Sequence, residues 1–276
     1  MPVEDLRARL CACDLCPRRC GANRNAGIKG LCGNDATPAV YQHFMHYGEE
    51  ISIVPAFIIN MSGCSLHCPT CSERYHFFEK ALPVGTPAHY AGALAAHLRR
   101  TGLPASIEWI GGEPSCQLPF VLETSAILRE KLQPCPPILL NTNGYFDTAL
   151  LDAMHGILDG FVFDLKCAPS CQQEITGASD YWIVVTANIR AVAAKFPGSH
   201  IIRHLVMPGH LECCTKPVLA WCRDNAPQMV VNVMTGFQDF RAQSACRQLD
   251  DAQKAAAAAI ALELAPGRRM VDGKWV

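Results

Sequence analysis

No apolar run in this chain of 276 residues approaches the roughly 18 that a membrane-spanning helix needs. The opening residues, Met1-Pro2-Val3-Glu4-Asp5-Leu6-Arg7-Ala8-Arg9, mix both charge signs where an export signal would carry an apolar stretch. A cytoplasmic location with no membrane partner is therefore expected. Neither sign of charge is in excess, with 24 Lys+Arg against 25 Asp+Glu. Nucleic-acid partners call for a basic excess and are not expected, although the local Arg18-Arg19 pair is of a kind that touches phosphate. Disorder is excluded as well, because half the residues are apolar and 18% are charged, enough to bury a sizeable core without strong self-repulsion. Internal repeats and low-complexity tracts are missing, apart from the alanine run of residues 255–259. A chain of this size with a good core and no export signal also has little use for disulfides.

Against these absences stands an abundance of cysteine, 16 in all. Read as cytosolic thiols, several are expected to be metal ligands. Cys11, Cys13, Cys16, Cys20 and Cys32 crowd the N-terminal end, and Cys64, Cys68 and Cys71 lie together. The others, Cys116, Cys135, Cys167, Cys171, Cys213, Cys214, Cys222 and Cys246, are scattered and read by default as small buried hydrophobes.

Residues 1–50 show little periodicity and read as a Cys-rich extension carrying a metal knuckle. From Pro55 onward the pattern changes. Short apolar runs predict strands over 56–61, 106–110, 137–142, 160–166, 199–207 and 229–234. Between them, the spacing of Tyr90, Leu94 and Leu98 predicts a helix over 89–100. Pro119 suits the first turn of another, with Val121, Ser125, Leu128 and Leu132 on one face. Further helices are expected around 148–155, 181–196, 212–224 and 250–264, the last closed by Pro266-Gly267.

Strands alternating with helices imply parallel βαβ units and an α/β core over 51–240, followed by a C-terminal helix and tail over 241–276. In such folds the working residues gather at the C-terminal ends of the strands. The cysteine trio, Gly111-Gly112-Glu113-Pro114, Asn141-Thr142-Asn143-Gly144, Asp164-Leu165-Lys166 and Arg203 all fall there. His43, His46, Glu49 and Glu50 read as a solvated linker between extension and core.

Cys64-x3-Cys68-x2-Cys71 puts three thiolates on one short loop. Three thiolates hold three corners of a [4Fe–4S] cubane and leave one iron open. An open iron suits a chelating amine and carboxylate, such as the methionine end of S-adenosylmethionine. The ligand types alone also admit zinc, with His67 or a distant residue as the fourth ligand. Gly111-Gly112-Glu113-Pro114, in the next βα unit, adds a second signal. Its glycines allow close backbone approach to a ligand, and exposed carbonyls accept hydrogen bonds from an ammonium group.

With these motifs in this order, residues 40–240 resemble the radical S-adenosylmethionine (SAM) superfamily, and within it the pyruvate formate-lyase activating enzyme-like branch. The resemblance implies a partial (β/α)6 TIM-like barrel. It implies that Cys64, Cys68 and Cys71 bind the [4Fe–4S] cluster and that Gly111, Gly112 and Glu113 meet the methionyl amine. Lys166 would approach the cofactor carboxylate, and Arg203 matches the arginine of the family's R-x-V-x-P-G strand. Asn141 and Thr142, with Asp164, would hold a monovalent cation. Two departures stand out: Thr70 where an aromatic usually precedes the third cysteine, and Ser72-Glu73-Arg74 in place of a Gln-Asn pair. Each residue also has a plainer role. Lys166 and Arg203 can pair with Asp164 or Glu113, and Asn141 and Asn143 are good turn formers.

Cys13-x2-Cys16-Pro17-Arg18-Arg19-Cys20, followed by Gly30-Leu31-Cys32-Gly33, has the count and spacing of a four-thiolate knuckle. Zinc and a second iron–sulfur cluster both suit four thiolates, and Cys11 is a spare. Farther on, adjacent Cys213 and Cys214 point in different directions on a helix, which makes one shared metal awkward. They are candidates to donate a hydrogen atom to a substrate radical, perched beside Cys167 or Cys171, with His210 and Glu212 as substrate-side groups. Buried structural thiols are the alternative.

The expected function is reductive cleavage of S-adenosylmethionine to a 5′-deoxyadenosyl radical that abstracts hydrogen from a small molecule or peptide. A donor such as flavodoxin or ferredoxin would supply the electron. One alternative is an activase acting on the glycine of a glycyl-radical enzyme. Another is a non-catalytic zinc-binding interaction protein.

Overall fold

The apolar runs form strands and the segments between them coil into helices in a computed structural model that describes residues 2–72, 82–238, 248–265 and 267–276. Glu73, Arg74, Cys246 and Pro266, singled out above, lie outside the described residues. The chain divides into two compact units, one built from residues 1–47, 53–65 and 73–161, the other from 48–52, 66–72 and 162–276.

The first unit contains α1 (Val3–Ala8), β1 (Ala39–His46), β2 (Ala56–Met61), β3 (Leu82–Pro83), α2 (Pro87–Thr101), β4 (Ser106–Gly111), α3 (Leu118–Lys131), β5 (Ile138–Thr142) and α4 (Leu151–Met154). Its strands run in the order β3-β1-β2-β4-β5. β2 is parallel to β4, and β4 to β5. Every residue of β2 is buried, as befits a parallel strand covered on both faces. β1 pairs antiparallel with β2, so the extension supplies a strand that its weak periodicity hides. Thr86 caps α2 by accepting from His89 N–H, Pro87 occupies the first turn, and Tyr90, Leu94 and Leu98 are buried. On α3, the buried Ser125 is tolerated because its Oγ accepts from Trp109 Nε1 at 2.9 Å and donates to Val121 O at 2.7 Å. The helix expected around 148–155 is a 3₁₀ turn followed by α4 alone.

β6 (Gly160–Asp164) leads into the second unit, which contains α5 (Gln172–Thr176), α6 (Tyr181–Lys195), β7 (Ile201–Leu205), α7 (Lys216–Asn225), β8 (Val230–Met234), α8 (Asp251–Leu264), β9 (Arg269–Val271) and β10 (Lys274–Trp275). The order is β6-β7-β8-β9-β10, parallel up to the final antiparallel pair. A π-helical turn, Leu211–Thr215, precedes α7 where a continuous helix was expected. Asp250 and Gln253 form a capping box that starts α8. The C-terminal tail is structured, because β9 adds a parallel strand beside β8. The register sets Asp164 beside Arg203 and Arg203 beside Asn232.

The mixed α/β class with parallel strands is the one expected. Among the described residues no helix is long and apolar enough to cross a membrane.

Candidate active site

In the first unit the parallel register brings the ends of β2 and β4 together. Gly112 N–H donates to Met61 O at 2.9 Å. A Cβ on Gly112 would stand 2.0 Å from Gly63 O, and one on Gly111, whose φ is 112°, would stand 2.5 Å from Met61 N. Only glycine fits at either position, so the two strand ends close on each other next to Cys64. Glu113 follows and is fully buried. Its carboxylate accepts from Ser115 N at 3.0 Å, Thr142 Oγ1 at 2.7 Å and Asn143 N at 2.7 Å. Burial pushes this carboxyl above the usual range, and the donors from Asn143 and Ser115 oppose the shift.

Glu113 thereby fixes Asn143, which has two uses. Its Oδ1 accepts from Tyr145 N at 2.8 Å and forms the turn. Its Nδ2 donates toward Cys64 Sγ at 3.5 Å and Ser65 Oγ at 3.4 Å. Asn141 donates its amide to Glu108 Oε2 at 3.2 Å, and the Thr142 hydroxyl goes to Glu113.

In the second unit the rest of the cysteine loop is pinned by its backbone. His67 N–H donates to Thr176 O at 3.1 Å, and Cys71 N–H to Cys68 O at 3.3 Å. Lys166 Nζ meets Asp164 Oδ2 at 2.8 Å. Tyr181 braces this strand end, its hydroxyl donating to Asp164 O at 2.6 Å and accepting from Lys166 N at 3.0 Å. Burial alone would lower the Lys166 pKa, but Asp164 and the Cys68 sulfur hold it well above the usual value. Burial raises the Cys68 thiol, and the Lys166 charge opposes that rise. Lys166 is thus a positive charge acting on a predicted cluster ligand.

Arg203 feels the Asp164 charge but forms its ion pairs elsewhere. Its Nε and Nη2 meet the two oxygens of Glu50 at 2.7 and 2.6 Å, and Nη2 lies 2.6 Å from Glu49. Asn232 Nδ2 donates to Glu50 Oε1 at 2.7 Å. Glu50 is fully buried, which corrects its reading as part of a solvated linker, whereas Glu49 stays exposed. A buried carboxylate needs a partner, and Arg203 supplies it.

Cys13, Cys16, Cys20 and Cys32 come together in the first unit. They line a cavity of about 310 Å³, counting the part open to solvent, and share it with Cys116 and Arg24. Cys11 is exposed and lies outside this lining. Cys116 read as an isolated buried thiol; its one signal was its place just after Gly111-Gly112-Glu113. The Cys116 thiol and the Arg24 charge pull Cys32 down to about 6 against burial, while burial pushes Cys16 up to about 11. Arg18 donates to Ser65 O at 3.1 Å and stacks over the Tyr145 ring.

The structure separates Cys213 from Cys214. Cys214 is buried, accepts from Ala168 N–H at 3.2 Å, and is pushed up to about 12 by burial. Cys213 is exposed, 3.5 Å from His210 Nδ1 and 3.6 Å from Cys171 Sγ. Glu212 faces Lys216 instead.

Comparison with known proteins adds to this geometry. Residues 58–222, more than half of the chain, match the family described as the Radical SAM superfamily. The chain is 27% identical over 232 residues to the uncharacterized protein MJ0674 of Methanocaldococcus jannaschii, spanning 82% of this chain and 66% of that protein. It is 35% identical over 101 residues to the (2S)-3-sulfopropanediol sulfolyase activating enzyme of Bilophila wadsworthia, spanning 36% and 32% of the two. The chain thus covers less than two thirds of the length of either curated relative. Among solved structures, a radical SAM methyltransferase from Sphaerobacter thermophilus superposes with a TM-score of 0.61 at 14% identity, covering 79% of this chain and 66% of that one. Streptococcus suis SuiB bound to the precursor peptide SuiA superposes with a TM-score of 0.56 at 14% identity, covering 76% and 46%. At such identities these likenesses show the fold alone. The family match, its three-cysteine loop and the α/β fold agree, and the chain belongs to the radical SAM superfamily.

Proposed function

We propose that this chain is a radical SAM enzyme that modifies a small molecule or a peptide by abstracting hydrogen from it. The observation that carries the reading is the closure of the β2 and β4 ends on glycine beside Cys64, with Asn143 Nδ2 aimed at the Cys64 sulfur. The donor set fits the cofactors that the superfamily implies. Cys64, Cys68 and Cys71 offer three thiols for a [4Fe–4S] cluster and leave an iron for S-adenosylmethionine. The Asn143 donor and the Lys166 charge both favour the thiolate form that ligation requires. When bound, the reduced cluster supplies the electron that splits S-adenosylmethionine into methionine and a 5′-deoxyadenosyl radical, which takes the substrate hydrogen.

The protein's own work is positioning. Gly111 and Gly112 keep the backbone low enough for strand-end carbonyls to accept from the methionyl ammonium. Lys166, steadied by Asp164, is the cation for the cofactor carboxylate. Arg203 acts by holding Glu50 against β7. Asn141 and Thr142 offer oxygens of the kind a monovalent cation takes. Cys213, exposed beside His210, is the better placed of the adjacent cysteines to give a hydrogen atom to a substrate radical, since Cys214 is buried. A flavodoxin or ferredoxin is the fitting class of electron donor. The four thiols of the extension form a second metal site in this reading.

One observation favours a second reading, an activase acting on a partner protein: the stretch that is 35% identical to an activating enzyme. Membership of an enzyme superfamily counts against a non-catalytic zinc protein.

The test begins with oxygen-free purification and measurement of iron and sulfide. Addition of dithionite and S-adenosylmethionine is expected to yield 5′-deoxyadenosine, and Cys68→Ala to abolish it. A fully loaded protein that forms none would refute the reading, and intact cleavage in Cys68→Ala would refute the assigned ligands. A glycyl radical appearing on a partner protein would favour the activase.

A further inference from the structure

We propose that Cys13, Cys16, Cys20 and Cys32 hold a second [4Fe–4S] cluster through which electrons enter the cysteine loop at Cys64. The electron-entry role rests on the radical reading above; the cluster itself does not.

Arg24 is 2% exposed. Its Nε and Nη2 donate to Asp35 O at 3.2 and 2.8 Å, and its Nη1 donates to Cys116 O at 2.6 Å and lies 3.8 Å from Cys13 Sγ. These partners are neutral carbonyls and a sulfur. A buried guanidinium without a counter-charge is costly. The cavity it faces is lined by Cys13, Cys16, Cys20, Cys32 and Cys116, so the available negative charge is thiolate. Metal ligation keeps thiols in that form.

Spacing then chooses the metal. Zinc binds sulfur at about 2.3 Å, which in a tetrahedron sets the sulfurs only about 3.8 Å apart. Among the described residues, three such donor atoms lie mutually within 4.8 Å at Cys171, His210 and Cys213, and not at any three of the extension's thiols. A polynuclear iron–sulfur core, which holds its ligand sulfurs farther apart than one zinc does, suits this spacing.

Position gives the role. Four thiolates leave no iron open, so this centre would exchange electrons and not bind substrate. Cys16 and Cys20 are partly exposed, whereas the Cys32 carbonyl accepts from Cys64 N–H at 3.0 Å. A Cβ on Gly63 would fall 2.5 Å from that same carbonyl, and Ser65 lines the cavity. One backbone hydrogen bond therefore joins a ligand residue of each centre. A one-electron carrier of the flavodoxin or ferredoxin class would be oxidised by one electron at the exposed side. The second cluster would take up that electron and pass it on, returning to its oxidised state.

The test uses the full chain reconstituted without oxygen. The wild type is expected to hold about eight irons, and Cys64→Ala/Cys68→Ala/Cys71→Ala to keep about four with a reducible cluster signal in electron paramagnetic resonance. Zinc in place of iron in that triple variant, or loss of all its iron while it remains folded by circular dichroism, would overturn the second cluster. Cys13→Ser/Cys16→Ser is expected to keep only the other iron set; should it not fold, the wild-type count and the triple variant still decide. Cys116→Ser is expected to keep the wild-type iron count, and a drop to about four would overturn the assigned ligand set. Magnetic coupling between the two reduced clusters in the wild type supports electron entry, and signals that are the plain sum of the two variants' overturn it. A triple variant that keeps its iron while the wild type forms no 5′-deoxyadenosine would sink the radical reading and leave the second cluster standing.

Discussion

His204 links two candidate functional segments, and acid should break that link. It sits beside Arg203 on β7 with 1% of its surface exposed. Its Nδ1 lies 2.9 Å from Leu165 O and its Nε2 lies 3.0 Å from Thr215 Oγ1. It thereby joins the strand end that carries Lys166 to the π-helical turn that carries Cys213 and Cys214. Burial pushes His204 down to about 4, only partly offset by the hydrogen bond to Leu165, against 6.5 for an ordinary histidine. Between those values the unfolded chain binds the proton and the folded chain does not. Stability is therefore full above about pH 6.5 and is lost as pH falls toward about 4. At about 1.4 kcal/mol per unit, the loss reaches about 3 kcal/mol.

The assay is urea unfolding from neutral pH down to about pH 4, on the wild type and on His204→Gln, whose amide keeps a donor and an acceptor but does not titrate. Burial also lowers His200 and His43, but both are present in each protein and cancel in the difference. The stability advantage of the wild type should shrink by about 3 kcal/mol over this range. A difference that stays flat with pH would refute the reasoning.

Gly112→Ala should force the β2 and β4 ends apart, because the new Cβ would lie 2.0 Å from Gly63 O. Overpacking of this kind costs about 1–3 kcal/mol or more; a lower melting temperature and poor iron loading at the cysteine trio are expected, and unchanged values would contradict the close approach. Glu50→Gln should cost about 3 kcal/mol, because it leaves the buried Arg203 charge with Glu49 alone. Glu49→Gln should cost less than about 1 kcal/mol, since Glu49 is 35% exposed. Equal effects in denaturant titrations would disprove this ranking.

The strands of the core were legible because their burial leaves a continuous signature. Ala56-Phe57-Ile58-Ile59 has no other sensible place than a covered strand. β1 escaped notice because only Val40 of it is buried and it carries Gln42, His43 and His46, with no apolar alternation to betray it. β9 and β10 escaped because so few residues, Arg269–Val271 and Lys274–Trp275, carry no period at all. At the site, the Cys64 trio was legible from spacing, since its chemistry is local to one loop. Glu50 was not. Its partner Arg203 lies 153 residues away, and an isolated Glu-Glu pair in sequence looks like a solvated surface. Arg24 and Cys116, 92 residues apart, meet for the same kind of reason.

The sequence by itself determined the family resemblance and the candidate ligands. Thiols at these intervals, glycines at a strand end and an alternating α/β pattern carry the resemblance to the radical SAM superfamily, because each is a local feature of the chain. Tertiary structure alone decided which charges are buried and with whom. It made Glu50 a core residue, set Arg24 over five thiols, and turned Cys213 toward His210 and Cys171 while hiding Cys214. These outcomes depend on contacts between residues distant in the chain, where burial makes each polar group find a partner.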